Sequence, residues 1–220
     1  MKSRMGLLGT TFLLLIATCS VAQEQPISTE GPGWVNLFPS VSLKGWTRVP
    51  IPPQNPLNPV SQWHVDAVHR VILCDGDRGH EWLRYNHPYK NFVLHVEWRY
   101  FPVQGKQGYN SGVFVRNNAD GSVWYQAQVG NVSYLFGDNP VDGTVKRFNL
   151  SAQGKPAKPA GEWNALDVRC QGHTITLWLN GALSGTFTNA AQTKGFIGLE
   201  AEGYKIEFRN LKLKTLSGKS

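Results

Sequence analysis

The chain has 220 residues, a formal net charge of +7 and only 17% charged residues, with eight tryptophans, 23 glycines and 13 prolines. This composition excludes a disordered or collagen-like chain and argues against a solvated helix bundle, while the length suits one sizeable core. The positive charge is spread out and is densest from Lys212 to Lys219, where no aromatics interleave, so a nucleic-acid groove is not expected.

In chain order, Lys2 and Arg4 precede an apolar stretch from Met5 to Ala17 and a small-x-small site at Ser20-Val21-Ala22. That pattern predicts a signal peptide over 1–22 and export to the periplasm or beyond. The stretch is too short for a membrane span. Lipid attachment at Cys19 is the lesser alternative, because Thr18 departs from the usual small residue before such a cysteine. Residues 23–32 then read as a linker, 33–216 as a single domain and 217–220 as a tail.

Within the domain, apolar alternation recurs between turn dipeptides and no window sustains a helical period, which predicts an all-β antiparallel sandwich. Expected strands are 34–38, 68–74, 92–101, 112–117, 123–129, 164–170, 174–180, 196–201 and 205–214. Asp75-Gly76, Asp120-Gly121, Asp142-Gly143 and Asn180-Gly181 mark turns, the last being the clearest hairpin. The parity of Ile206 and Phe208 swaps at Leu211 and Leu213, which predicts a β-bulge near Arg209-Asn210. The proline-rich 49–60 and the polar 136–159 read as rim loops. Cys74 and Cys170 are able to pair in an oxidising compartment if the fold brings them together.

Parity also sorts the faces, since alternate strand residues point to opposite sides. Val113, Val115, Tyr125, Ala127, Ile197, Leu199, Leu94, Val96 and Trp98 fall on core sides. Opposite them lie Asn110, Arg116, Trp124, Gln126, Gln128, Glu200 and Glu202, and on 92–101 Glu97 and Arg99; Tyr204 follows close by. An ordinary wet face would favour Lys and Thr. These amides, carboxylates, guanidinium groups and an indole instead suit a polyhydroxylated ring, through paired hydrogen bonds and stacking on its C–H face.

The stretches GWVNLFPSVSLKGW (33–46), NFVLHVEWRY (91–100), YNSGVFVRNN (109–118), WYQAQVG (124–130), GEWNALDVRCQGHTITLWLNG (161–181) and GFIGLEAEGYKIEFRNLKLKTL (195–216) resemble, in order, the 3-keto-disaccharide hydrolase family, also called 3-keto-glucoside lyase or hydratase. The resemblance implies a concanavalin-like jelly roll with a sugar-facing sheet. It also implies an oligosaccharide or glycoside substrate ketonised at C3, with an upstream sugar 3-oxidase as a partner. The family more often has Tyr-Glu-x-Gln where this chain has Tyr125-Gln126-Ala127-Gln128, and Gln then His where this chain has Glu200 and Glu202.

On that resemblance, Glu200 and Glu202 are the expected acid and base, about 6–7 Å apart as i, i+2 strand neighbours. Arg116 with Asn110 would hold the oxyanion, and Gln126 and Gln128 the hydroxyls. Trp124, Glu97, Arg99 and Tyr204 are further binding candidates. A non-catalytic carbohydrate-binding module is the rival reading, and a conventional glycosidase using the carboxylate pair is another, although no Glu-x-Asp-x-x-Glu signature is present. No motif calls for a cofactor. A divalent metal stays open, since WHVDAVH sets His64 and Asp66 on one strand face with His69 near. His80 and His87 flank the expected loop EWLRYNHPY within reach of a site rim, although nothing in the spacing demands a role there.

Overall fold

The computed structural model describes residues 26–154 and 156–217. The expected signal peptide, Cys19, the start of the linker and the end of the tail lie outside them. Among the described residues there are fifteen strands and no helix, arranged in two antiparallel sheets.

The first sheet runs β13 (Ala182–Phe187), β12 (Thr174–Leu179), β11 (Asn164–Gln171), β6 (Phe92–Tyr100), β15 (Ile206–Thr215), β4 (Val71–Cys74), β3 (Trp63–Asp66), with β1 (Trp34–Asn36) also on β15. The second runs β10 (Thr144–Asn149), β9 (Leu135–Val141), β8 (Trp124–Gly130), β7 (Asn110–Asn117), β14 (Phe196–Ala201), β5 (Glu81–Tyr85), β2 (Trp46–Pro50). Leu94, Val96 and Trp98 from the first sheet meet Val113, Val115, Tyr125, Ala127, Ile197 and Leu199 from the second in one core, all of them buried. The alternation read from the sequence is the alternation the core uses, because strands with one apolar row can bury only that row. The result is the expected antiparallel jelly-roll sandwich.

Asn180 and Gly181 both take positive φ (50° and 78°) between Leu179 and Ala182, which pair across the β12–β13 hairpin. The same turn chemistry at Asp142-Gly143 overturns the reading of 136–149 as loop. Val141 pairs with Thr144, and β9 and β10 form a hairpin at the sheet edge. Pro140 is tolerated there because the pairing of β9 with β8 ends at Asp138. The expected bulge is present, with register shifting between Arg209 and Lys212 and Asn210 at φ 50°.

Cys74 and Cys170 are both free and buried, in β4 and β11 of the same sheet. Two strands, β6 and β15, lie between them, a lateral separation of about 14 Å that no disulfide spans. Burial pushes the Cys170 thiol up to about 12.

Candidate functional site

The outer face of the second sheet carries a cleft of about 480 Å³. Its floor has an apolar half and a polar half, set at different heights along the shared strands β7, β8 and β14. In the apolar half Val49, Trp82 and Phe114 are buried together with Ile51, Trp124 and Phe196 packed against them. Trp82 meets Phe114 edge-on at 5.5 Å between centroids, and Trp124 meets Phe136 edge-on at 5.1 Å. Gly198 makes room for the Trp82 ring: a Cβ there would lie 2.3 Å from Trp82 Cε3.

The polar half is a continuous chain of hydrogen bonds. His80 Nε2 lies 2.8 Å from Glu200 Oε1, and Gln126 Nε2 donates to Glu200 Oε2 at 2.8 Å. Gln126 also lies 3.4 Å from Gln128 Oε1, and Gln128 Nε2 donates to Asn110 Oδ1 at 2.6 Å. Glu200 and Gln126 are each only 3% exposed, so this is a sheltered polar row and not a wet face. Glu202, half-buried on the same side of the chain as Glu200, completes the acidic end and lines the cleft.

His80 is held in place from behind. Gln62 Nε2 donates to Gly79 O and to Glu81 Oε1, both at 2.9 Å, and Arg48 pairs with the 2% exposed Glu81 through two 3.0 Å bonds from Nε. This network fixes the segment from which His80 reaches over to Glu200. Burial alone would lower the His80 pKa, but the hydrogen bond to Glu200 and the charges of Glu200 and Glu202 outweigh it and raise it. Burial raises the Glu202 carboxyl, the neighbouring Glu200 charge adds to that, and His80 opposes both. Both shifts favour the protonated form, of the imidazole through its acidic neighbours and of the carboxyl chiefly through burial. One ligand atom from each of His80, Glu200 and Glu202 lies within 4.8 Å of the others, close enough for one divalent cation to touch all three.

At the rim, Trp124 Nε1 donates to Asp138 Oδ2 at 3.0 Å, and Arg147 pairs with the same carboxylate while its guanidinium lies 4.9 Å from the Trp124 ring centre. The 51–54 segment forms part of the wall, in keeping with its reading as a rim loop.

Of the residues expected at the site, Glu200, Glu202, Gln126 and Trp124 line this cleft, and Gln128 and Asn110 extend its polar row. Arg116 does not join them. A register shift between β7 and β14 leaves it at φ 56°, fully buried and turned away from the cleft. Its guanidinium donates to Lys90 O (2.7 and 3.1 Å) and Gly172 O (2.7 Å), clamping two loops. The shifted register puts Asn117 on the cleft wall in its stead.

Glu97 and Arg99 lie on β6 in the other sheet. There Glu97 binds Arg209 and Asn210, and Arg99 binds Glu207 over the Trp163 ring. Tyr204 packs against Tyr109 and Tyr100 at centroid distances of 5.4 and 6.2 Å, outside the cleft. His64 and Asp66 do not form a metal cluster either: His64 pairs with Asp75 and Asp66 with His69, each at 2.7 Å. Trp82, Asn117, Asp138 and Arg147 were not foreseen. His80 was, as a rim residue, and it shares the parity of Trp82.

A jelly roll with an aromatic, amide and carboxylate cleft on one sheet places the chain among the concanavalin-like carbohydrate-active proteins. More narrowly, residues 33–214 match the model of the 3-keto-alpha-glucoside-1,2-lyase-like domain, and the chain belongs to that family. Its fold is similar to that of the carbohydrate-binding module CBM66 from Bacillus subtilis, with 16% identity over 78% of this chain and 96% of that one and a TM-score of 0.59. It is also similar to a Parabacteroides distasonis protein provisionally named as a glycosyl hydrolase, with 21% identity over 88% and 100% of the two chains and a TM-score of 0.60. A search of curated proteins finds no significant match. No helix among the described residues is long and apolar enough to cross a membrane.

Proposed function

We propose that this chain is an exported enzyme that cleaves 3-keto-glucosides by elimination and then hydrates the product. The observation that carries this reading is the pairing of His80 with Glu200 beside Glu202, at the end of a sheltered amide row and next to an aromatic floor.

The ketone at C3 acidifies the proton on C2. Glu202 takes that proton, and the electron pair of the C2–H bond moves into an enolate whose charge sits on the C3 oxygen. The enolate then expels the C1 substituent to leave a C1–C2 double bond. His80, whose protonated form the Glu200 carboxylate favours, donates its proton to the departing oxygen. Water then attacks C1 and passes a proton to His80 while Glu202 returns its own to C2, which gives the free 3-keto-sugar and restores the starting groups. Gln126, Gln128 and Asn110 hold ring hydroxyls, and the Trp82–Phe114–Trp124 floor takes the C–H face. An oxidoreductase acting earlier on the glycoside would supply the ketone.

Turnover of 4-nitrophenyl 3-keto-glucosides of both anomers tests this, with the unoxidised glucosides beside them and each assay repeated with a chelator. Release of nitrophenol from the keto-sugars alone, slowed by deuterium at C2 and lost in Glu202→Gln, is the expected result. Equal release from the unoxidised sugars would make the protein an ordinary glycosidase, and binding without release would make it a binding module. Loss of activity with chelator would assign a cation to His80, Glu200 and Glu202.

A further inference from the structure

A second cavity, of about 440 Å³, opens at the end of the sandwich where Tyr109 leads into β7 and Gly130 ends β8, between the 102–109 and 156–160 segments. Its charge is opposite to that of the cleft. Lys106 and Lys158 line it and no carboxylate does, whereas the cleft holds Glu200, Glu202 and Asp138. Lys106 Nζ sits 4.9 Å from the Tyr204 ring centre and has no carboxylate partner among the described residues. Lys158 Nζ makes one bond, to Trp163 O at 3.1 Å, which leaves two N–H donors.

Of the other polar lining residues, Gln107 and Asn131 are amides that donate and accept, and the Tyr100 hydroxyl gives its proton to Val129 O at 2.6 Å. The Tyr109 hydroxyl accepts from Val103 N at 2.9 Å and keeps its own proton to give. A cavity that carries two ammonium groups and no carboxylate is complementary to an oxyanion. Pro102, Pro159 and the Tyr109 ring supply apolar walls, and the volume fits one pyranose ring.

We infer that this cavity is a non-catalytic subsite for a sugar carrying a carboxylate, a uronate unit. The lysines neutralise its carboxylate, and the proline and tyrosine faces take its ring. A neutral hexose would leave both ammonium groups unanswered, so selection rests on charge. Such a subsite would hold an acidic glycan to the domain while the cleft acts on a neutral glucosyl unit.

The test is titration of the full chain with methyl glucuronide, methyl glucoside and acetate, followed by calorimetry or ligand-observed NMR. Glucuronide should bind in about the millimolar range with an affinity that falls as salt is added, and glucoside far more weakly. Lys106→Met should weaken glucuronide binding about tenfold, as loss of one charge-assisted contact does. Glu202→Gln should bind it as the wild type does, which separates this site from the cleft whether or not the cleft is catalytic. The inference is overturned by equal binding of glucoside and glucuronide, by an unchanged affinity in Lys106→Met, or by no binding at about 10 mM. Acetate competing as well as glucuronide would reduce the site to a bare anion contact and would overturn it too.

Discussion

Gln126 reaches Glu200 across an intervening strand: the 2.8 Å bond from Nε2 to Oε2 joins β8 to β14 over β7. It can do so because the β7 residue beneath it is Gly112, where a Cβ would sit 2.3 Å from Gln126 Nε2 and 2.4 Å from Cδ. Gly112 has no positive φ to satisfy, so its role is to leave space.

Gly112→Ala should therefore leave the fold intact and displace the far end of Gln126. Glu200 would lose a charge-assisted hydrogen bond of about 1.5–3 kcal/mol. Turnover of a 3-keto-glucoside should fall about tenfold or more, while far-UV circular dichroism stays that of the wild type. Unchanged turnover would show that the amide row does not matter to the chemistry.

Gly198→Ala acts differently. The new Cβ would meet Trp82 Cε3 at 2.3 Å and Leu83 O at 2.8 Å, and the second of these is backbone of the paired strand β5. Since neither the strand nor the buried indole yields easily, the change should cost about 1–3 kcal/mol of stability, read from denaturant unfolding.

For Arg116 the structure predicts a loss of stability rather than of activity. Its fork holds two loop carbonyls, at Lys90 and Gly172, which the single ammonium of a lysine cannot reproduce. Arg116→Lys should lower unfolding free energy by about 2–4 kcal/mol while kcat/KM per folded molecule stays within about twofold. A large fall in kcat/KM with stability preserved would return Arg116 to the cleft.

Arg116 also shows where sequence reading stops. The bulge at Asn210 could be read because apolar parity changes across it, from Phe208 to Leu211. The register shift that inverts Arg116 has no such mark, since an arginine at φ 56° is not announced by residue type. Glu97 and Arg99 fail for another reason: parity put them correctly on the outward side of β6, but it says which face of a strand a residue takes and not which sheet the strand joins. Glu200, Gln126 and Gln128 came together because their strands lie within one sheet and each places them outward. Trp82 sits on a five-residue strand, too short to show its period, and its partnership with Glu200 depends on the β5–β14 pairing.

The acidic end of the cleft should make stability fall as pH rises. Glu202 titrates above its ordinary 4.5 in the folded chain and His80 above its ordinary 6.5. A raised folded pKa means that the folded state holds the proton more tightly than the unfolded one, so the contribution is fully present below the unfolded value and is lost as pH climbs through the folded one. Glu202 therefore erodes stability from about pH 4.5 upward and His80 from about pH 6.5 upward. Glu202→Gln removes the first group and also one of the charges that hold the His80 proton, so its midpoint temperature should vary less between pH 4.5 and 8 than that of the wild type. His80→Gln should instead sharpen the loss from Glu202, because the cation that restrains its pKa is gone. A Glu202→Gln profile parallel to the wild type across that range would mean that the carboxyl sits in water and that the cleft does not perturb it.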